Sequence, residues 1–337
     1  MKSIREREWF FSQEKIPFEV SCSDPHFNVY RLATTGQVIV DIDIPADLGG
    51  EEVTVGVTAD LHLNFCNMQD RDDAELAYTE QCRIWQRDQK ALPAAISALY
   101  AADFCDVSVN VGDTIDYQSQ GAIDLTKRHL IAKYPEIIMT PGAHDFLKQM
   151  QTKLPEQLPL EQRLDKLRAI WPHDLHYYSR VIKDKVMCVA LDNSQSKYLA
   201  CQYDKLLEDI GRCRAEGLVM LIFSHEPINP AYPCGKTVEA NIKNSGARSS
   251  VSFPEISNLA GCEGFSDEVT MRIYRLITSS ADVVRAYVAG HWHSQFYLEI
   301  SATRPTDNGE EQTVIPQYVI SGNPYHEAGC IARITVH

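Results

Sequence analysis

Residues 106–116 read Asp-Val-Ser-Val-Asn-Val-Gly-Asp-Thr-Ile-Asp: a β-branched run, Asp106–Val111, that stops on Gly112-Asp113-Thr114-Ile115-Asp116. The same pattern, a short apolar run halted by polar residues, recurs four times. Glu52–Thr58 leads into Ala59-Asp60-Leu61-His62, and Glu136–Thr140 into Pro141-Gly142-Ala143-His144-Asp145. Leu218–Phe223 leads into Ser224-His225-Glu226-Pro227, and Val283–Val288 into Ala289-Gly290-His291-Trp292-His293. Near-continuous apolar strands of this kind suit a sheet covered on both faces.

Between the runs lie helical patterns. Tyr203, Leu206, Leu207, Ile210 and Cys213 repeat at about 3.6 residues, as do Val269, Ile273, Leu276 and Ile277. Strand–helix alternation predicts an α/β fold. Ligands of such sheets gather outside the carboxyl ends of the strands, where all five polar clusters fall. Tyr177–Val181 and Val186–Leu191 flank a turn at Lys183-Asp184-Lys185, and Gln317–Ser321 offers a late strand; these three are expected to form a second sheet. Residues 1–50 hold one expected strand, Gln37–Ile42, and otherwise read as an accessory edge or cap on a main domain of residues 51–337. Residues 229–266 are rich in Gly, Pro, Ser and Asn without a period, which predicts a substrate loop.

The balance of 32 Lys and Arg against 46 Asp and Glu leaves a net charge of −14. Such a surface repels phosphate backbones and anionic lipid, so neither general nucleic-acid binding nor membrane binding is expected. A small phosphorylated substrate remains compatible, because bound cations dominate the field inside a site. The charged opening Met1–Glu8 does not read as a signal peptide, and no run approaches the ~18 apolar residues of a membrane span. The ten cysteines are scattered and form no C-x-x-C pair, which reads as reduced thiols in a cytoplasmic protein.

Each polar cluster alone has a plain structural explanation. An isolated Asp-x-His or Gly-Asp is a solvated turn, and a lone His225 is a hydrogen-bonded structural histidine. His291-x-His293 carries more, since alternate residues of an extended segment face the same way. Five strand ends delivering D-x-H, G-D-x-x-D, G-x-H-D, H and G-H-x-H in order are a different matter. Carboxylate and imidazole suit Zn, Fe and Mn, and the absence of cysteine argues against a structural zinc knot. A carboxylate with two oxygens can bridge two cations, and a pair about 3.5–4 Å apart clamps the attacking and leaving oxygens of a phosphoryl group.

The ordered series resembles the calcineurin-like metallophosphoesterase family over roughly Val53 to Gly322, with Leu191-Asp192 and the Gln202 helix in similar places. The resemblance implies two packed mixed β-sheets flanked by helices. It also implies two divalent or trivalent ions (Mn, Zn or Fe). Asp60, His62 and His293 would hold the first, Asp113 would bridge, and His225 and His291 would hold the second. His144 would protonate the leaving oxygen, Asp145 would orient His144, and Asp116 would support the loop from behind the ligands. A hydroxide on the metals would then attack phosphorus in line.

The family's third motif is Gly-Asn-His-Asp or -Glu, whose Asn oxygen ligates the second metal; here it reads Gly142-Ala143-His144-Asp145. A methyl group cannot donate to a cation, so the second position is expected to be weak and partly occupied. Whether Ala143 is native or substituted stays open on sequence alone. The function expected is hydrolysis of a small phosphodiester, phosphomonoester or nucleotide-type substrate. The alternatives are protein phosphatase activity and a catalytically degenerate scaffold of the same fold. Oligomeric state has no sequence signal. Asp70–Glu75 reads as a solvated acidic surface, Tyr117, Tyr232 and Lys236 as residues of the mouth loops, and His326 as a pocket residue at a late strand end.

Overall fold

In the computed structural model, thirteen strands make two sheets among the described residues, which are 2–18, 26–70, 91–146, 160–194, 197–228, 268–293, 295–307, 309–320 and 329–337. The first sheet contains β1 (Lys15–Pro17), β2 (Asn28–Leu32), β3 (Val38–Ile44), β4 (Val53–Thr58), β5 (Val107–Val111), β6 (Ile138–Thr140) and β13 (Cys330–Val336), in the order β1-β2-β3-β13-β4-β5-β6. The second contains β7 (Tyr177–Ile182), β8 (Val186–Leu191), β9 (Val219–Phe223), β10 (Val284–Ala289), β11 (Phe296–Thr306) and β12 (Gly309–Val319), in the order β11-β12-β10-β9-β8-β7. Both are mixed. β4, β5 and β6 run parallel, as do β8, β9, β10 and β12. The β7–β8 hairpin turns through Lys183 and Asp184 at φ 49° and 54°, the paired left-handed residues of a type I′ turn.

The sheets pack face to face. Val40, Val55, Val57, Val109 and Ile334 of the first meet Cys188, Leu221, Phe223, Ala286 and Val288 of the second in one buried cluster. Strand alternation sends the intervening side chains outward. Met187, Val189, Met220 and Ile222 pack under α4 (Ala200–Glu216) and α5 (Glu268–Thr278), which supply Leu206, Ile210, Ile273 and Ile277. Over the first sheet, α2 (Ala91–Ala102) sits close enough that a Cβ on Gly56 would lie 2.7 Å from the Ala102 backbone. α1 (Ile4–Phe11) covers the same side, Phe10 stacking on Phe104 at 4.0 Å between ring centroids.

Three features depart from the sequence expectation. The five motif strands do not share one sheet: β4, β5 and β6 lie in the first, β9 and β10 in the second. The described residues of 1–50 carry α1 and three strands, β1, β2 and β3, where one strand was expected, and these strands lie at the edge of the first sheet. The late strand is the inner end of a long β11–β12 hairpin whose tip is exposed, so both faces there are polar and no alternation marks it. β13, central in its sheet, escaped notice because Arg333 interrupts its apolar run. Arg333 is paired in register with Asp41 of β3, donating two hydrogen bonds of 2.7 Å to its carboxylate.

Asp106, at the amino end of β5, joins three distant segments. Its carboxylate accepts from Thr54 N–H (2.9 Å), Thr54 Oγ1 (3.0 Å), Lys183 Nζ (2.8 Å) and Arg7 Nη1. Burial alone would raise its pKa, but Lys183, Thr54 and Arg7 outweigh it and hold the group below the usual carboxylate range. A depressed pKa contributes stability that is full above the unfolded value and lost as pH falls through the folded one. Asp106→Asn is therefore expected to cost about 1.5–3 kcal/mol at pH 7. The gap from wild type should narrow below about pH 4, as read by urea unfolding at pH 7 and pH 3.

Candidate metal centre

The carboxyl ends of β4, β5, β6, β9 and β10 meet at one end of the sandwich, and the chain turns sharply after each. Asp60, His62, Asp113, His291 and His293 all adopt positive φ, between 45° and 69°. Left-handed backbone at non-glycine residues costs energy and persists only where surrounding structure dictates it. Here the dictating bonds run between neighbouring strand ends. Asp60 N–H donates to Gly112 O (3.1 Å), His62 N–H to Asp113 O (2.8 Å), and Gly290 N–H to His225 O (3.0 Å). The motif glycines leave room for these approaches. A Cβ on Gly112 would lie 2.7 Å from His225 Cγ, one on Gly142 2.9 Å from Asp113 Cγ, and one on Gly290 2.8 Å from Asp60 Oδ2.

Six side chains fall into two groups that share Asp113. Asp60, His62, Asp113 and His293 form one, with donor atoms within 4.8 Å of one another; Asp113, His225 and His291 form the other within the same limit. In the first, His293 Nε2 lies 3.3 Å from Asp60 Oδ1, and His62 Nε2 lies 3.7 Å from Asp113 Oδ2 and 3.0 Å from His293 Nε2. In the second, His225 Nε2 lies 3.2 Å from Asp113 Oδ2 and 3.2 Å from His291 Nδ1. A cation bonded at about 2.0–2.1 Å spaces adjacent ligands about 2.9–3.4 Å apart. The donor set therefore fits two cations sharing one carboxylate.

The orientation of the rings supports the fit. His225 donates from Nδ1 to Val111 O (2.8 Å) and His62 Nδ1 faces Asp116 Oδ1 (3.0 Å), so each turns Nε2 inward. Two ring nitrogens facing each other at 3.0–3.2 Å need a proton or a cation between them. Burial pushes the His62 pKa down to about 4 and that of His291 to about 3, leaving neutral rings as a metal requires. Burial acts the same way on His225, but Asp113 beside it wins and raises it to about 10. Burial would raise Asp113, yet His225 and the neighbouring imidazoles hold it well below the carboxylate range. The protein's own charges thus favour positive charge at this spot.

Asp145 was expected to orient His144, and the structure corrects this. Asp145 is buried with Oδ1 accepting from Ile115 N–H (2.9 Å) and Oδ2 from Gly142 N–H (2.8 Å), so it fixes the loop backbone. The carboxylate beside His144 is Asp116, whose Oδ1 lies 3.0 Å from Nδ1 of both His144 and His62. Burial and the nearby Asp113 raise Asp145 to about 7. Ala143 lies between Gly142, which packs on Asp113, and His144, whose N–H donates to Asp113 Oδ1 (2.9 Å).

Other corrections concern the surroundings. Tyr117 is fully buried and is no mouth residue, because its loop folds inward under Cys66. Asp70 is buried, not solvated, and the rest of the Asp70–Glu75 stretch lies outside the described residues. Residues 229–266, with Tyr232 and Lys236, and His326 lie outside the described residues. Two supports were missed. Asn193 Oδ1 accepts from His225 N–H (3.1 Å) and Glu226 N–H (2.9 Å), bracing the β9 end from β8. Asn110 Oδ1 accepts from Gly112 N–H (3.2 Å) and Thr114 Oγ1 (2.9 Å). Asn110 carried a usable signal, a buried amide inside the apolar run Val107–Val111, since such a group requires partners.

Comparison with known proteins adds one decisive finding: the family described as calcineurin-like phosphoesterase matches residues 53–295. No curated protein matches the sequence. Solved structures with a similar shape include a putative 5'-nucleotidase from Staphylococcus aureus in complex with alpha-ketoglutarate, at 12% identity and TM-score 0.39, covering 82% of this chain and 57% of that one. Another is the purple acid phosphatase PPD1 from yellow lupin seeds, at 11% identity and TM-score 0.45, covering 88% of this chain and 49% of that one. A third is a dimetal phosphatase from Danio rerio, at 16% identity and TM-score 0.39, covering 81% and 90%. The chain thus spans only about half the length of the first two. The match over residues 53–295, and none of these likenesses, decides the family.

Proposed function

Because the chain belongs to the calcineurin-like phosphoesterase family, we propose that it is a metal-dependent hydrolase of a small phosphodiester, phosphomonoester or nucleotide-type substrate. The observation that carries this reading is the pair of donor groups sharing Asp113, with imidazole nitrogens converging in each. Asp60, His62 and His293 would hold one cation and His225 and His291 the other, with Asp113 common to both donor groups. When bound, the cations supply Lewis-acid polarisation of phosphoryl oxygens and a lowered pKa for water.

The remaining work belongs to the chain. His144, its side chain 20% exposed and outside both donor groups that share Asp113, is positioned to reach a substrate oxygen. With Nδ1 held at Asp116 Oδ1, the His144 imidazolium would give its Nε2 proton to the departing alkoxide and be left as the neutral ring. The same Asp116 oxygen receives Nδ1 of His62, so one carboxylate sets the orientation of a metal ligand and of the proton donor. Asp145 holds the loop between them through Ile115 and Gly142. Ala143, with no donor atom in its side chain, would leave the second cation with Asp113, His225 and His291 as its side-chain ligands.

The acidic surface favours a small substrate over a nucleic acid. Among the described residues no helix is long and apolar enough to cross a membrane. A cytoplasmic location is proposed from the scattered cysteines, which form no C-x-x-C pair. Metal analysis after Mn²⁺, Zn²⁺ or Fe loading, followed by assay on a nitrophenyl phosphodiester and the corresponding monoester, tests the proposal. Metal uptake with turnover of at least one ester is expected. A metal-loaded protein inert on both esters, even as Ala143→Asn, would establish the degenerate scaffold instead.

A further inference from the structure

Asp70 belongs to none of the motifs, yet it is 5% exposed and its carboxylate is fully engaged by backbone. Oδ1 accepts from Gln120 N–H (2.8 Å), and Oδ2 accepts from Gly121 N–H (2.9 Å) and Asn67 N–H (2.9 Å). Gln120 and Gly121 open α3 (Gln120–Thr126), which follows the segment carrying Asp113 and Asp116; Asn67 lies on the segment that leaves His62. Asp70 therefore ties together the two chain segments that bear Asp60, His62 and Asp113, three of the four side chains of the first metal position.

Further bonds run along the same seam. Leu63 N–H donates to Thr114 O (2.9 Å) and Asp116 N–H to Leu63 O (3.1 Å), while Ser119 Oγ donates to Phe65 O (2.6 Å) and Asn67 Nδ2 to Asp124 (2.9 Å). The segments are pressed so closely that a Cβ on Gly121 would lie 2.8 Å from the Phe65 ring and 2.9 Å from Asn67 N. Removing the Asp70 carboxylate would strip three N–H groups of their acceptor at the point where the segments diverge from the ligands.

We propose that Asp70 is a positioning residue that fixes His62 relative to Asp113 and Asp116, and so sets the affinity of the first metal position. Ligand groups held at their bonded spacing lose little freedom on taking up a cation; loosened ones lose more. The inference rests on the metal-centre reading above. Groups that orient metal ligands typically contribute about 10–100-fold in metal affinity, and Asp70→Ala is expected to weaken Mn²⁺ binding within that range.

The full-length protein is titrated with Mn²⁺ alone, reading the dissociation constant by calorimetry and the Mn²⁺-induced rise in Tm. Asp106→Asn, at the opposite end of β5, serves as a control that lowers stability while keeping wild-type Mn²⁺ affinity. Gly121→Ala, which wedges the seam apart with the carboxylate intact, is expected to weaken Mn²⁺ binding as well. Asp70→Asn keeps one acceptor oxygen and should fall between wild type and Asp70→Ala; it carries the test if the alanine variant does not fold. Wild-type Mn²⁺ affinity in a folded but less stable Asp70 variant would show a merely structural role and overturn the proposal. Absence of Mn²⁺ uptake by the wild-type protein would overturn the metal-centre reading and this proposal with it, an outcome distinct from failure of the Asp70 variants alone.

Discussion

Asp113→Asn is expected to leave a folded protein that has lost most of its bound metal and about 10²–10⁴-fold of its turnover. Asp113 is 2% exposed and is the single side chain common to both donor groups. Its Oδ2 faces His225 (3.2 Å) and His62 (3.7 Å), and its Oδ1 accepts the His144 N–H (2.9 Å). An amide of the same shape keeps one oxygen but loses the charge and the capacity to bridge. Uncompensated buried charge costs about 3–5 kcal/mol, which at 1.36 kcal/mol per decade is about 10²–10⁴ in rate or affinity. Metal content after gel filtration and kcat/KM on a nitrophenyl ester, measured on one preparation, provide the check. Wild-type values for both would remove Asp113 from the centre of the mechanism.

Ala143→Asn is expected to act in the opposite direction, raising second-metal affinity and turnover together by about 10–100-fold, since losses behind the ligands already reach that size and a lost ligand should cost no less. The backbone is in place for the new side chain, because the residues on either side both lie against the shared carboxylate of Asp113. His225 and His291 are the other two side chains of that position. Titration with Mn²⁺ at constant protein concentration separates the sites. Wild type should fill one position tightly and the other weakly, and the variant should fill both. Unchanged stoichiometry and unchanged kcat would mean that position 143 does not face the second metal.

The site was legible in the sequence to the extent that its chemistry is carried by residue type and order. Five apolar runs ending in Asp or His fixed the strand ends, the kinds of ligand and the absence of a cysteine site, because a strand's carboxyl end is where an α/β sheet presents side chains. The two donor groups unite residues up to 233 positions apart, from Asp60 to His293. The gap at Ala143 was equally plain, since a methyl group has no lone pair wherever it lies.

Pairing of polar groups was not legible. His144 and Asp145 are neighbours in sequence, which made them a tempting dyad, but consecutive side chains point apart. The chain path instead brings Asp116, 28 positions away, to within 3.0 Å of the imidazole. Asp70 reads as surface in an acidic stretch, and only the approach of the α3 amino end 50 residues later buries it. Arg333 likewise disguised a central strand until its partner Asp41, 292 positions earlier, was in view. Apolar periodicity and ligand type are properties of a local segment, so the sequence by itself determined the α/β class and the metal-binding chemistry. The division into two sheets and the choice of each carboxylate's partner depend on which segments meet, so only the tertiary structure decided them.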